Sequence, residues 1–493
     1  MKKHERFAAC MRRVLEETGI SATELARMVG FKSRNSLFRI LNDETSSEVE
    51  KNFYHTLREK QCLQLTDETW SELEEALEIS RIGYSDYLSN QAISGLLTKG
   101  LPSPGEYMCI QRDAQGRIIM TPLSTRLGEL TQCDELEICM TGCCSAPLMQ
   151  ALAVNLRPES MRCHVSVIHY LFAGEDEIVQ NVAAIQPLLY ATWYQAFFLE
   201  PDTCAPETEA ILRVNSLFIH AAQGQDDHYE HMTVTDNGHI FCRKLMDDAV
   251  FRQISRLRIR REPAIHQVKS SFPYLAHTPE DYLTYTENYR QLESNCVVLS
   301  LKPDVPINYI HPDVLVGPVT DGFKEAGFSE QDDLMALVQQ LYDIQLLRYE
   351  NFFRKKKVTH TIFSLKAMER FARTGRQSDH FFAMRPYTPA ERKAILTNLR
   401  EQAIKNPYFW IYFLKDDIDS IDAEITMYEG RGVMFLRSDT AYNLDGDHCE
   451  ALIDYQGLSD KFRSFYMKEL LVNRVLPFQD TIAILDRMIY QLG

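Results

Sequence analysis

Two short stretches decide the first part of the fold: SATELARMVGF at residues 21–31 and SRNSLFRIL at residues 33–41. Ser21 and Glu24 stand three apart, which is the spacing of a capping box at the start of a helix. Apolar residues follow at helical spacing, and Gly30 is suited to end the helix in a left-handed turn. The sequence therefore predicts two short helices joined by a glycine-containing turn.

Further helices are predicted on both sides of this pair. An apolar stripe at helical spacing runs from Phe7 to Leu15, and a second helix is expected over Ser46–Leu57. A solvated polar face on such helices is also compatible with a module that contacts protein. The four helices predict an all-α head at residues 1–62.

This pattern resembles the Xre-type, lambda-repressor-like helix-turn-helix domains, over roughly the first 60 residues. The resemblance implies that residues 33–41 form the recognition helix, that double-stranded DNA is a partner, and that the protein is a homodimer, since one such helix reads only a half-site. Polar and basic side chains at the two helix starts suit base edges and phosphates. The candidate DNA-binding residues are Ser21, Thr23, Lys32, Ser33, Arg34, Asn35, Ser36 and Arg39.

Charge is divided unevenly along the 493 residues. Residues 1–60 carry 12 Lys and Arg against 9 Asp and Glu, a balance of +3, so the total of −16 leaves −19 for residues 61–493. A strongly acidic segment repels phosphate, which limits any nucleic-acid contact to the head. With 45% hydrophobic and 25% charged residues the chain belongs to the folded proteins. It has neither a membrane-spanning run nor a secretory signal pattern, so we expect a cytoplasmic protein.

After the head, the pattern changes twice. Residues 63–104 predict a helical connector, which ends at the turn-forming Pro102-Ser103-Pro104-Gly105. Beyond it, strand-like and helical runs alternate, including a hairpin near residues 107–122 and a βαβ unit over residues 136–172. The fold class is therefore multidomain: an all-α helix-turn-helix head, a helical connector and a large mixed α/β (α+β) C-terminal body, with α/β units at residues 105–270 and 271–493.

A weak internal similarity links two distant segments. Phe241–Ile254 and Leu452–Phe465 both run from a short strand through a turn into a helix that carries Phe-Arg. Either the body contains a duplicated α/β unit or the likeness arose by chance.

A ligand site is expected where the strand at Leu136–Met140 meets the next helix. Ligands of open α/β sheets bind at such carboxyl ends of strands, and a helix N-terminus attracts anions. The candidate ligand-binding residues are Gly142, Cys143, Cys144 and Ser145. A small-molecule or anionic effector is the expected ligand, with help from the arginines at 252–261. The alternative is an ordinary connection in which Ser145 only caps the helix.

No metal site or cofactor is predicted, because the twelve cysteines lack the paired spacing of zinc ligands. In a reducing compartment most of them should be free, buried thiols. The usual nucleotide, protease and esterase motifs are missing, so the sequence gives no reason to predict an enzyme. The resulting prediction is a bacterial-type, sequence-specific DNA-binding transcription regulator with a C-terminal signal-sensing or assembly domain. The alternative is an enzyme or partner-binding protein with a small autoregulatory helical head.

Overall fold

A computed structural model gives the fold. The structure describes residues 6–493 except 99–102, 143–144, 157–162, 173, 175–176, 190, 192, 200–209, 211–212, 224–225, 236, 247, 256–264, 268–278, 326, 328–330, 355, 378–383, 416–422 and 438–448. The chain divides after Gln91 into two compact units, an N-terminal unit and a C-terminal unit that starts at Ala92.

The N-terminal unit is entirely helical. Its helices are α1 (Phe7–Thr18), α2 (Ala22–Val29), α3 (Arg34–Leu41), α4 (Ser47–Glu59) and α5 (Asp67–Ile82), and α6 (Tyr84–Thr98) continues into the C-terminal unit. The buried Phe7 ring packs edge-on against Phe53 and Tyr54. The same core includes apolar residues of α5, so the first helix of the predicted connector packs with the head.

The helix-capping signals at residues 21–41 act largely as the sequence predicts, although the Glu24 carboxylate does not complete the predicted capping box. The Ser21 hydroxyl accepts a hydrogen bond from the Glu24 backbone N–H at 3.2 Å, which satisfies a free donor at the start of α2. Gly30, with φ +90°, ends α2 in the left-handed region. Ser33 then caps α3 through the Asn35 N–H at 3.1 Å. The two predicted short helices and the glycine-containing turn between them are therefore confirmed.

The C-terminal unit contains two mixed sheets. The first has the order β2-β1-β8-β7-β6-β3-β4-β5-β9, and the second has the order β12-β11-β10-β13-β14-β15. The strands of the first are β1 (Met108–Arg112), β2 (Ile118–Pro122), β3 (Glu135–Thr141), β4 (His164–Phe172), β5 (Tyr194–Leu199), β6 (Ser216–Gln223), β7 (Asp226–Val234), β8 (His239–Leu245) and β9 (Ile265–Gln267). Those of the second are β10 (Val298–Lys302), β11 (Thr359–Phe363), β12 (Phe409–Phe413), β13 (Ala423–Tyr428), β14 (Gly432–Arg437) and β15 (Cys449–Ile453).

Helices connect and cover these strands. They are α7 (Leu123–Leu130), α8 (Ala146–Asn155), α9 (Ile178–Ile185), α10 (Ala249–Ser255), α11 (Pro279–Glu293), α12 (Pro312–Glu325), α13 (Gln331–Phe353), α14 (Leu365–Thr374), α15 (Pro389–Lys405), α16 (Gln456–Phe465) and α17 (Phe478–Gln491). A π-helix over Tyr466–Arg474 continues α16. Within the described part of the chain, no helix combines the length and the apolar character that crossing a bilayer requires.

Six of the nine strands in the first sheet share one topology with the six strands of the second. In the first, β3, β4 and β5 are parallel neighbours, β6 lies antiparallel on the other side of β3, and β7 and β8 continue as an antiparallel meander. In the second, β10 to β15 repeat this order and these directions. Each meander is followed by a helix, α10 or α16. The likeness between residues 241–254 and 452–465 therefore marks a structural duplication, which we call the first and the second repeat.

Apolar side chains divide the C-terminal unit into layers. One core joins the α8 and α9 side of the first sheet to the α16 side of the second. The other side of the second sheet is covered by α11 to α15 and α17 around a separate core. In both repeats the helices that connect the parallel strands thus cover one face of the sheet. The central strands β3 and β10 each end at the edge of the sheet where their parallel neighbours also end.

Candidate functional site

The central strands β3 and β10 lie where the strand order reverses in each repeat. From each of them the chain first proceeds to parallel neighbours on one side and later returns to an antiparallel strand on the other. In open α/β sheets this reversal leaves a crevice at the carboxyl end of the central strand, where ligands bind. The predicted ligand site after β3 lies at this point of the first repeat.

At the end of β3, the polar groups bind within the protein. The Thr141 hydroxyl donates to the Val214 carbonyl oxygen at 2.8 Å, and the Ser145 hydroxyl pairs with the Tyr107 hydroxyl at 3.0 Å. Ser145 is the N-cap residue of α8 but accepts no capping hydrogen bond through its side chain. Gly142 has φ +62°, which turns the chain after the strand.

Two further parts of this prediction cannot be placed. Cys143 and Cys144 lie outside the described residues, as do the arginines between 256 and 261. Arg252 forms an ion pair with Asp248 on its own helix turn. The anion site at residues 142–145 therefore stays a prediction.

A buried histidine lies beside the last inward residue of β3. His169 of β4 pairs with Met140 in the sheet and is fully buried. Its Nδ1 hydrogen-bonds to the Tyr194 hydroxyl at 2.7 Å, and its Nε2 has no partner within the described residues. Burial lowers the pKa of His169 to about 3, so the imidazole is neutral at physiological pH.

The second repeat has a buried ion pair at the carboxyl end of its central strand. Lys302, the last residue of β10, binds the carboxylate of Glu424 on the neighbouring strand β13. Their exposed fractions are only 4% and 7%. The Thr426 hydroxyl donates to the same carboxylate oxygen, Oε1, at 3.2 Å.

A second buried ion pair lies next to the first. The guanidinium of Arg348 on α13 donates two hydrogen bonds, of 2.8 and 2.7 Å, to the carboxylate of Glu293, the last residue of α11. The Asn308 amide donates to the same carboxylate at 2.9 Å. Paired, doubly hydrogen-bonded geometry is what makes a buried arginine–carboxylate contact tolerable.

These four charged side chains surround a cavity of about 20 Å³, which has room for one water-sized group. Within the described residues, Glu424 Oε2 and Asn308 Oδ1 are buried there without a hydrogen-bond partner. Burial and the nearby carboxylates of Glu293 and Glu424 raise the pKa of Tyr428, another lining residue, well above its usual range. The arrangement leaves two acceptor atoms for a donor group of a ligand.

The first repeat shows that the fold does not require charges here. Met140 of β3 pairs with Leu217 of β6, and both are fully buried. Each repeat thus has a pair of buried side chains from the central strand and its antiparallel neighbour near the end of the central strand. The pair is apolar in the first repeat and ionic in the second.

Sequence reasoning missed this site although a signal was present. The strand-like apolar run Val297–Leu301 ends one residue before Lys302, which makes the lysine resemble an ordinary charged residue after a strand. Glu424 stands between apolar residues of the run AEITMY, on the inward side of a strand. A charged residue on the buried face of an alternating strand pattern indicates a partner of opposite charge or a ligand.

The candidate DNA-binding residues lie on the surface of the N-terminal unit. Thr23 of α2 and the residues around the start of α3 are exposed. Arg39 donates to the Glu44 carbonyl oxygen at 3.4 Å. Exposure on a helix-turn-helix is compatible with several partners, so double-stranded DNA, a small-molecule effector and a second copy of the chain stay predictions.

Cysteines were expected to be free thiols, and the eight whose side chains the structure describes are free. Seven of these eight are buried, and Cys242 is half-buried. Cys133 and Cys163 approach to 3.4 Å between their sulfur atoms. Among the residues that the structure describes, no group of three or more His, Cys, Asp or Glu is arranged to hold a metal ion.

Comparison with known proteins does not assign the chain to a family. No protein-family model matches the chain, and no curated protein matches it. The chain is similar to the crystal structure of phosphatidylserine synthase from Haemophilus influenzae Rd KW20, with 10% sequence identity and a TM-score of 0.22 over 83% of this chain and 98% of that one. A TM-score this low transfers neither a shared fold nor an activity to this chain.

The predicted function is corrected by these findings. No family model and no curated protein supports the predicted sequence-specific DNA-binding transcription regulator. The similar structure is named as an enzyme, and at this TM-score that name describes that protein alone.

Proposed function

We propose that the second repeat binds a small polar substrate at the carboxyl end of β10 and that Lys302 and Glu424 perform acid–base chemistry on it. One observation supports this most: near the end of its central strand the first repeat has the apolar pair Met140 and Leu217, and the second repeat has two buried charges. Burying an ion pair in place of apolar side chains brings a fold little or no stability. Charges that the topology does not need are candidates for chemistry.

The geometry assigns a separate role to each side chain. Glu424 Oε2 lacks a partner in the described part of the chain, so it is the atom that accepts a proton or hydrogen bond from a substrate hydroxyl or amine. The Lys302 ammonium lies against the other carboxylate oxygen and stabilises negative charge that develops on the substrate. The proton moves from the substrate to Glu424, and the charge pair holds both groups in place.

The surrounding residues limit what can enter. Arg348 and Asn308 already share the carboxylate of Glu293, so this second pair fixes the wall of the cavity. A cavity of about 20 Å³ accepts one small group of a substrate and excludes a large one. Low local dielectric strengthens each hydrogen bond made inside it.

The test is ligand binding by the full chain with and without the ion pair. A panel of small metabolites that carry hydroxyl, amine or carboxyl groups is screened for an increase in melting temperature. Wild type is compared with the double variant Lys302→Met/Glu424→Leu, which places the residues of the first repeat in the second. We expect at least one compound to stabilise the wild type by several degrees and to leave the double variant unchanged.

A matched control separates this site from any buried ion pair. Arg126 and Glu230 form another such pair in the first repeat, with side-chain exposures of 15% and 3%. The variant Arg126→Met/Glu230→Leu should respond to the same compound as the wild type does. The proposal fails if no compound of the panel binds, or if the Lys302/Glu424 double variant binds as well as the wild type.

A further inference from the structure

A second candidate site lies between α14, α15 and α17, away from Lys302 and Glu424. The three helices enclose a groove of about 700 Å³, which is within the range of small-molecule sites. Arg373, Arg392 and Arg487 line it, one from each helix, together with a single carboxylate, Glu369. Apolar side chains such as Met488 complete the wall.

The buried arginine is the residue that needs a ligand. Arg392 is only 8% exposed, and its Nη1 donates to the Ala372 carbonyl oxygen at 2.6 Å, near the end of α14. Its Nε has no partner within the described residues. A buried guanidinium is costly unless its charge and its donors are satisfied.

The other two arginines add charge without a counterion. Arg373 and Arg487 are exposed, and within the described part of the chain neither forms an ion pair. Three guanidinium groups against one carboxylate make the groove cationic in a segment of the chain that is strongly acidic. The planar fork of arginine matches the two oxygens of a carboxylate or phosphate.

We propose that this groove binds a small organic anion, whose phosphate or carboxylate group lies on Arg392, Arg373 and Arg487 and whose apolar part contacts Met488 and its neighbours. The strong acidity of the chain after the head opposes long polyanions such as nucleic acids. A small anion interacts only with the local positive charge of the groove. The phosphate and the carboxylate share this chemistry, and the probes below distinguish them.

Isothermal titration of the full chain with phenyl phosphate, benzoate and benzyl alcohol tests the proposal. We expect phenyl phosphate or benzoate to bind, more weakly as salt is added, and neutral benzyl alcohol not to bind. The double variant Arg373→Gln/Arg487→Gln should weaken binding about tenfold or more. Whichever anion binds the tighter identifies the group that the site prefers.

Two variants make the result specific. Arg392→Lys keeps the positive charge but loses the planar fork, so it should also weaken binding of the anion. Arg376→Gln removes an exposed arginine that does not line the groove and should leave binding unchanged. The proposal is overturned if neither anion binds at millimolar concentration, if benzyl alcohol binds equally well, or if Arg373→Gln/Arg487→Gln binds like the wild type.

Discussion

The two repeats differ most at the carboxyl ends of their central strands. In the first repeat Met140 and Leu217 form a fully buried apolar pair, and the polar group nearby is the neutral His169. In the second, Lys302 and Glu424 form a buried ion pair, and Phe363 occupies the position next to it on the parallel strand. One topology therefore accommodates opposite chemistry at the same point.

The difference teaches which part of the structure the fold requires. Both repeats keep the strand order, the antiparallel meander and the helix that follows it. They differ in the polarity of the pair near the end of the central strand, which is apolar in the first repeat and charged in the second. Residues that vary in charge while the architecture stays constant are free to serve a ligand, which is the basis of the proposed function.

The largest effect should come from breaking the ion pair on one side only. Glu424→Leu leaves the Lys302 ammonium buried without a counter-charge and should lower the free energy of unfolding by about 3–5 kcal/mol. Urea unfolding followed by circular dichroism measures it. Glu401→Gln, which removes an exposed partner of Lys405, is the control and should change stability by less than about 0.5 kcal/mol. A small loss for Glu424→Leu would mean that the pair is hydrated.

The buried, neutral His169 of the first repeat should make the free energy of unfolding depend on pH. Its folded pKa of about 3 lies below the unfolded value of about 6.5, so the unfolded chain alone takes up the proton between these limits. Stability from this residue is complete above pH 6.5 and falls by about 1.4 kcal/mol per pH unit as the pH drops towards 3. His169→Phe, which copies Phe363 of the second repeat, should lose this part of the slope in urea unfolding between pH 6 and pH 4. Equal slopes would contradict the buried neutral state.

Replacing a turn glycine by alanine should destabilise the second meander at Gly432 more than the first meander at Gly238. Gly432, with φ +116°, leaves a new Cβ only 2.4 Å from the Ile453 carbonyl oxygen. Gly238, with φ +79°, leaves it 3.3 Å from the Glu106 carbonyl oxygen. We expect Gly432→Ala to cost about 2 kcal/mol and Gly238→Ala about 1 kcal/mol. The midpoints of urea unfolding rank the two variants, and the reverse order would contradict the greater crowding at Gly432.

The smallest effect on stability is expected from making the repeats alike. Lys302→Met/Glu424→Leu removes both charges together, so no unpaired charge remains, and the free energy of unfolding should stay within about 1 kcal/mol of the wild type. Urea unfolding of this variant beside Glu424→Leu measures the coupling between the two residues. A loss as large as that of the single variant would show that the second repeat needs the ion pair to fold.

Local patterns predicted most of the helices and several strands. Capping at Ser21 and Ser33 and the glycine at residue 30 set α2 and α3 through neighbours within three residues. The hairpin β1–β2 and the unit β3–α8–β4 followed from turn residues and apolar runs. The pair of Lys302 and Glu424 did not, because its members are 122 residues apart and either alone is an ordinary charged residue.

The sequence by itself determined the helical first part, the α/β character of the rest and the hint of duplication, because each depends on spacing between near neighbours. Only the tertiary structure decided that the two repeats share one topology, that an ion pair in the second replaces an apolar pair in the first, and that arginines of three helices line one groove. Such features depend on strand order and helix packing, which bring distant residues together. Contacts between distant residues produce no periodic pattern in the sequence, so they could not be predicted from it.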